Sequence, residues 1–275
     1  MAIMKWGQNI HVRCFEDAAR AIADALRTLG HDVVPTSDAK PGRLIVMGAN
    51  NMAEDSRNPI PRDMIVYNTE QIAAQNGISH QMQSYKLYRN FVVWDYSQAN
   101  IDRMREFGLE KTVHCPLGYI PSMTKIAPAA SQDVDVLWVG SVNQRREEIL
   151  SAIEATGLKV KRLFGMYGEE RDAWIARSKV VLNLHFYERA VFEVFRCSHL
   201  WANKKCVLTE DGGCDAELER LADRAALLVQ RNQIVTWCQS LVEDEAARRA
   251  VEDRGFDVFS KIDLVENVRR ALEQS

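Results

Sequence analysis

Short apolar runs alternate with stretches of helical spacing along almost the whole chain, and few folds accept that pattern. Strands are expected at Ala2–Trp6, His31–Val34, Arg43–Met47, Asp63–Tyr67, Phe91–Trp94 and Thr112–His114. Phe15–Leu29 places Ala19, Ile22, Ala23, Leu26 and Leu29 on one helical face and is stopped by Gly30. Further helices are expected near Ile72, near Tyr85 and across Gln98–Phe107, with Ser97 capping the last. The alternation restarts with strands Val134–Val139, Lys159–Leu163, Val180–His185, Cys206–Leu208 and Ala226–Val229. Helices Arg145–Thr156, Glu169–Ala176, Val191–Ala202 and Asp215–Ala222 lie between them. Strands joined through helices pair in parallel, with helices covering the sheet faces.

The pattern breaks once. Pro116–Asp133 is Pro-rich, polar and aperiodic, as a linker is. A chain of 275 residues also exceeds one ordinary domain of about 100–150. The expectation is an α/β protein of two Rossmann-like domains, 1–120 and 133–275, joined by a linker over 121–132. The tail Gln233–Ser275 reads as helical throughout, with Ile262, Val265, Val268 and Leu272 as the apolar face of the last helix.

A net charge of -3 gives no reason to expect nucleic acid or an anionic membrane as a partner. No apolar run approaches the ~20 residues of a membrane span, and Met1–Gly7 lacks a leader pattern, so a cytoplasmic protein is expected. Six cysteines without a Cys-x-x-Cys pair read as reduced and mostly buried, not as a zinc site.

Ligands of parallel sheets bind beyond the carboxyl ends of the strands, where helix N-termini offer N–H groups to anions. Three polar turns stand there in succession. Val139-Gly140-Ser141 leads through Val142-Asn143-Gln144 to Arg145 and Arg146, where glycine permits close approach of a phosphate and arginine neutralises it. A tight turn with solvated arginines is the bland alternative. Leu182-Asn183-Leu184-His185-Phe186-Tyr187-Glu188 is followed by Glu193 and Arg196, one turn apart at the start of a helix. Here a ribose-binding carboxylate competes with a surface ion pair beside a core histidine. Thr209-Glu210-Asp211-Gly212-Gly213 closes the next strand.

Together these segments resemble the donor-binding lobe of GT-B glycosyltransferases. The resemblance implies two domains facing a central cleft and a nucleotide-sugar as donor substrate, with no further cofactor and no metal. Gly140, Ser141 and Arg145 or Arg146 would hold the diphosphate, and Glu193 the ribose. Glu188 is similar to the family's earlier acidic residue, although Glu188 and Glu193 do not keep the Glu-x7-Glu spacing. Arg145, Arg146, Glu188, His185 and Asp95 are the catalytic candidates. Gly140, Ser141, Glu193, Arg196, Glu210 and Gly212 are the donor-binding candidates. In the first half, Asn68-Thr69-Glu70 and Asp95-Tyr96-Ser97 resemble acceptor-lobe turns, so Asn68, Glu70 and Tyr96 are assigned to the acceptor side. Asp95, Glu70 and His11 are the available general bases.

Asp133-Val134-Asp135 opens a strand instead of closing one, which places it at the wrong sheet edge for a donor metal. The function expected is metal-independent transfer of a sugar to an unidentified acceptor. The alternatives are a nucleotide-sugar epimerase or hydrolase on the same fold, and a non-catalytic module that binds a nucleotide or a partner chain.

Overall fold

The computed structural model describes residues 2–5, 10–35, 43–49, 63–74, 88–127 and 129–275. The chain divides into two compact units, Met1–Ile120 with Asp263–Ser275, and Pro121–Ile262.

The first unit is built on a parallel sheet of order β2-β1-β3-β4-β5-β6. Its strands are β1 Ala2–Lys5, β2 Val34–Pro35, β3 Leu44–Met47, β4 Met64–Tyr67, β5 Val92–Asp95 and β6 Thr112–His114. Every residue of β3 and β4 is buried, as expected where helices cover both faces. Helix α1, Glu16–Thr28, buries Ala19, Ile22, Ala23 and Leu26. Helix α2, Gln98–Glu106, is capped by Ser97, whose hydroxyl accepts the Asn100 N–H. The expected helix near Ile72 is a turn, in which Asn100 Oδ1 accepts the Ala73 N–H. The expected helix near Tyr85 and the Trp6 end of the first strand lie outside the described residues, as does the side chain of His11.

The second unit carries a parallel sheet of order β11-β10-β9-β7-β8. These strands are β7 Val134–Val139, β8 Val160–Leu163, β9 Ser178–Asn183, β10 Val207–Glu210 and β11 Leu227–Val229. The helices are α3 Gln144–Glu154, α4 Glu169–Arg177, α5 Val194–Ala202, α6 Ala216–Ala225, α7 Ile234–Glu243 and α8 Glu245–Phe259. Trp201 is wholly buried, stacked on Phe192 with centroids 5.8 Å apart and tilted against Phe259 at 5.7 Å.

Two expectations about the tail are corrected. It is not helical throughout: Asp244 and Asp263 each turn a carboxylate back onto an N–H of the next turn and start new helices. The last helix, α9 Leu264–Glu273, belongs to the first unit, not to a domain spanning 133–275. Its buried stripe of Leu264, Val268 and Ala271 packs on α1, and Leu264 N–H reaches the Tyr119 carbonyl. An amphipathic helix docks where an apolar face is available, whatever its place in the chain. No helix among the described residues is long and apolar enough to cross a membrane, and none of their cysteines is in a disulfide.

Gly255 marks the closest approach of α8 to its neighbours. A Cβ there would lie 2.6 Å from the Ala225 carbonyl oxygen and 3.0 Å from Trp201 Cδ1. Alanine normally gains about 1 kcal/mol over glycine inside a helix, but overpacking against a fixed backbone costs about 1–3 kcal/mol. Gly255→Ala should therefore lower stability by up to about 2 kcal/mol in urea unfolding, against the helix-propensity trend.

Candidate functional site

The carboxyl ends of β7, β9 and β10 carry a connected polar network. β7 leaves through Gly140, at φ +146°, where a Cβ would meet Arg196 Nη2 at 3.1 Å and Trp138 Cζ2 at 3.2 Å. Only glycine lets the strand turn there with the guanidinium lying against it. Asn143 then caps α3 by accepting the Arg146 N–H, while its own amide donates to the Phe186 carbonyl at 2.8 Å. The N–H groups of Ser141 and Val142, ahead of the helix, donate to no acceptor among the described residues.

The two arginines of α3 are structural first. Arg145 meets both oxygens of Glu210 at 2.6 Å, and Glu210 has no exposed surface. Arg145 also donates to the His185 carbonyl, and Glu210 accepts the His185 N–H. Arg231 completes this corner by donating to the Arg145 carbonyl at 2.6 Å. Arg146 is buried, donates to the carbonyls of Leu184 and Ser141, and lies 4.7 Å from the Trp138 ring and 5.0 Å from that of Phe186. Burial, reinforced by the neighbouring Arg196 charge, brings the Arg146 pKa down to about 10.

Glu193 is the N-cap residue of α5 and not a residue of its first turn, a correction to the expected helix start. Its Oε2 accepts from His185 Nδ1 at 2.8 Å and from the Asn183 amide at 3.1 Å. Arg196 donates to Asn183 Oδ1 at 2.6 Å, and Asn183 also reaches the Thr209 hydroxyl. Burial opposes the charge on both members of the His185–Glu193 pair, but their mutual attraction outweighs it. The imidazole is held above its ordinary pKa and the carboxyl below its own, the latter helped by Arg196 and Arg146. Buried atoms without a hydrogen bond remain at His185 Nε2, at Glu219 Oε1 and at Glu193 Oε1, the last 3.8 Å from Arg146 Nη2. The expected surface pair of Glu193 with Arg196 is thus part of a buried lattice, and strand β9 stops two residues before His185.

The remaining sequence candidates scatter. Glu188 and Gly212 are exposed on neighbouring loops, where a Cβ on Gly212 would lie 3.7 Å from the Glu188 carbonyl oxygen. Asp133 pairs with Arg177 at 2.5 Å and Asp135 with Lys179 at 2.7 Å, at the start of β7 and away from Gly140. In the first unit, Asp95 is wholly buried and accepts from the amides of Asn68 at 2.6 Å and Asn100 at 3.2 Å and from the Ser97 N–H at 2.7 Å. It ties strand ends together instead of facing solvent as a base would. Asn68 and Tyr96 are buried as well. Glu70 alone of that group keeps partial exposure, and burial pushes its carboxyl above the ordinary range.

No protein-family model matches the sequence. Among solved structures, the chain is similar to WaaG, a glycosyltransferase involved in lipopolysaccharide biosynthesis, with a TM-score of 0.58 over 99% of this chain and 98% of that one at 11% identity. A glycosyltransferase involved in avilamycin A biosynthesis gives 0.56 over 99% and 96% at 13% identity. TarM of S. aureus, in complex with UDP among other ligands, gives 0.58 over 84% of this chain and 55% of that chain at 11% identity. The chain has the GT-B fold. Curated relatives of this GT-B chain include two uncharacterised proteins of Acanthamoeba polyphaga mimivirus, 25% identical over 196 residues and 29% identical over 154. The matches cover 68% and 54% of the chain but only 25% and 48% of those proteins.

Within the GT-B frame, the Glu-x7-Glu spacing counted back from Glu193 falls on His185 and not on Glu188. Asn183, Arg231 and Glu219 join the network although the sequence did not single them out. The only signal for Asn183 and Arg231 was a polar side chain at or just beyond the end of an apolar strand, and Glu219, inside α6, gave none.

Two measurements check this geometry. Arg145→Ala strands the buried Glu210 carboxylate and should cost about 3 kcal/mol, the lower end of the range for breaking a buried pair because Arg145 is one-fifth exposed. Replacing both residues by methionine should recover most of that loss in a double-mutant cycle. For His185, whose folded pKa is raised, the stabilisation is complete below ~6.5 and is lost as pH rises through the folded value. For Glu193, whose folded pKa is lowered, stabilisation is present above the ordinary carboxyl value and is lost as pH falls through the folded one. Glu193→Gln should therefore flatten the alkaline decline of unfolding free energy and move the His185 imidazole titration, followed by NMR, to lower pH.

Proposed function

We propose that the chain is a glycosyltransferase that takes a sugar from a nucleotide-sugar, with the donor diphosphate at the start of α3. The observation that carries this reading is the pair of N–H groups at Ser141 and Val142 beside Gly140, with the Arg196 guanidinium against the same glycine. A helix N-terminus with unspent N–H groups and an adjacent cation is suited to a diphosphate leaving group. Glu193 Oε1, buried, 3.8 Å from Arg146 Nη2 and without a hydrogen bond, is the acceptor offered to ribose hydroxyls. UDP bound to TarM, a protein of similar fold, supports a nucleotide ligand.

In this reading the phosphate charge is met by Arg196, by the N-terminus of α3 and by the exposed edge of Arg145. Arg146 holds the loop from beneath. No divalent ion is called for, and Asp133 and Asp135 serve their ion pairs. If the acceptor hydroxyl needs a base, Glu70 is favoured over Asp95, because burial moves its pKa toward the working range of a base while leaving part of it exposed.

A thermal-shift panel of UDP, GDP, dTDP, ADP and CMP with their sugar conjugates tests the proposal. A ligand at about 100 times its dissociation constant stabilises by ~2.7 kcal/mol, or roughly 5–10 °C for a chain of this size. One base should be preferred. Arg196→Ala should reduce the shift from diphosphates much more than that from nucleosides, and Glu193→Ala should reduce both. Absence of any shift at millimolar nucleotide would favour a non-catalytic binding module instead.

A further inference from the structure

Helix α6 begins at Asp215, whose carboxylate accepts the N–H groups of Glu217 and Leu218. From its first turn, Glu219 folds back over Gly213. A Cβ on Gly213 would lie 1.8 Å from Glu219 Oε1, 2.4 Å from its Cδ and 2.7 Å from its Cγ. Gly213 is not among the glycines with positive φ, so its backbone conformation is open to any residue. The carboxylate of Glu219 occupies the side-chain position, so any side chain there would displace it.

The notch lies beside the β9–α5 loop. Gly213 bridges Ala190, and the Cys214 N–H donates to the Ala190 carbonyl at 2.8 Å. That loop runs from His185 to Glu193. His185 is wholly buried, its Nδ1 spent on Glu193 and its Nε2 without a partner. Glu193, Glu210 and Glu219 are the carboxylates whose charge it feels. Glu219 in turn feels the charges of His185, Asp211 and Glu193, and its carboxylate takes a hydrogen bond from the Gly213 backbone. Three buried polar atoms in this neighbourhood therefore make no hydrogen bond: a ring nitrogen and two carboxylate oxygens, that of Glu193 lying 3.8 Å from Arg146 Nη2.

We propose that Glu219, seated in the notch left by Gly213, recognises hydroxyl groups of the transferred sugar together with His185. This rests on the donor-site reading above. Carboxylate oxygens only accept hydrogen bonds, so the ligand must bring donors, and adjacent hydroxyls on a sugar ring supply them. A phosphate or a carboxylate would be repelled by Glu219 and Glu193. A metal ion is disfavoured, since no three His, Cys, Asp or Glu side chains among the described residues are arranged to hold one. A site that pairs its buried polar atoms with a ligand's hydroxyls also rejects ligands lacking them.

Isothermal titration of UDP, GDP, dTDP and ADP, each alone and as its glucose conjugate, separates the inference from the reading beneath it. Wild type should bind one glucose conjugate about tenfold more tightly than the bare diphosphate, in keeping with hydrogen bonds to charged groups. Glu219→Ala should bind that diphosphate as wild type does and lose the glucose-dependent gain. Gly213→Ala should do the same, because it expels the carboxylate from its notch. If wild type binds no nucleotide, the donor reading fails and the inference falls with it. If nucleotides bind but glucose adds nothing, or both variants keep the gain or weaken both ligands equally, Glu219 does not touch the sugar and the donor reading stands. Loss of folding in both variants, seen by circular dichroism, would make Glu219 structural and equally overturn the proposal.

Discussion

The ion pair between Arg145 and the wholly buried carboxylate of Glu210 is the contact on which the second unit's sheet edge depends. It joins the first turn of α3 to the end of β10, and through the backbone of His185 it captures the end of β9 as well. Arg231, from the turn after β11, closes the same corner. A buried carboxylate holds this position only while its partner stays, so the three loops keep their places together. The consequence for function is direct. In the proposed donor reading Arg145, committed to the scaffold, offers a phosphate only its exposed edge, and Arg196, which lies against Gly140, meets more of the charge.

Both units meet the same physical demand. Parallel strands are buried on both faces, so polar groups collect where the strands end. In the first unit the result is a satisfied knot: Asp95 accepts from Asn68, Asn100 and Ser97 and holds β4, β5 and the start of α2 in register. In the second unit the corresponding network stops short of satisfying itself. His185, Glu193 and Glu219 each keep a buried atom without a hydrogen bond. The first unit keeps such atoms too, at Thr69 Oγ1 and Gln71 Oε1 just beyond β4, so buried polar atoms open to a ligand stand at strand ends in both units.

Much of the fold was legible in particular residues. The apolar runs at Leu44–Met47, Met64–Tyr67 and Val134–Val139 could only be buried strands of a helix-covered sheet, and Ser97 announced its helix by the usual capping chemistry. The turn at Ile72 was misread as a helix, because its backbone is held by Asn100, 27 residues later in the sequence. The allegiance of the last helix was equally out of reach. The sequence pattern offered Ile262, Val265, Val268 and Leu272 as its apolar face, whereas Leu264, Val268 and Ala271 are the residues buried, and nothing local says that their partner is α1.

The same division runs through the candidate site. Local sequence determined that Gly140, His185 and Glu210 would stand at or just beyond strand ends, and Glu193 and Arg196 at the start of the following helix, because the period of the apolar runs places the ends of strands and polar residues cannot continue into a covered sheet. Which of those residues pair with one another was decided only by the tertiary structure. Arg145 rather than Arg196 meets Glu210, His185 rather than Glu188 joins Glu193, and Glu219 reaches the site over a glycine six residues earlier. Charge pairing and side-chain clearance depend on distances between strands that are neighbours in the sheet but far apart in the chain, and a linear pattern does not contain those distances.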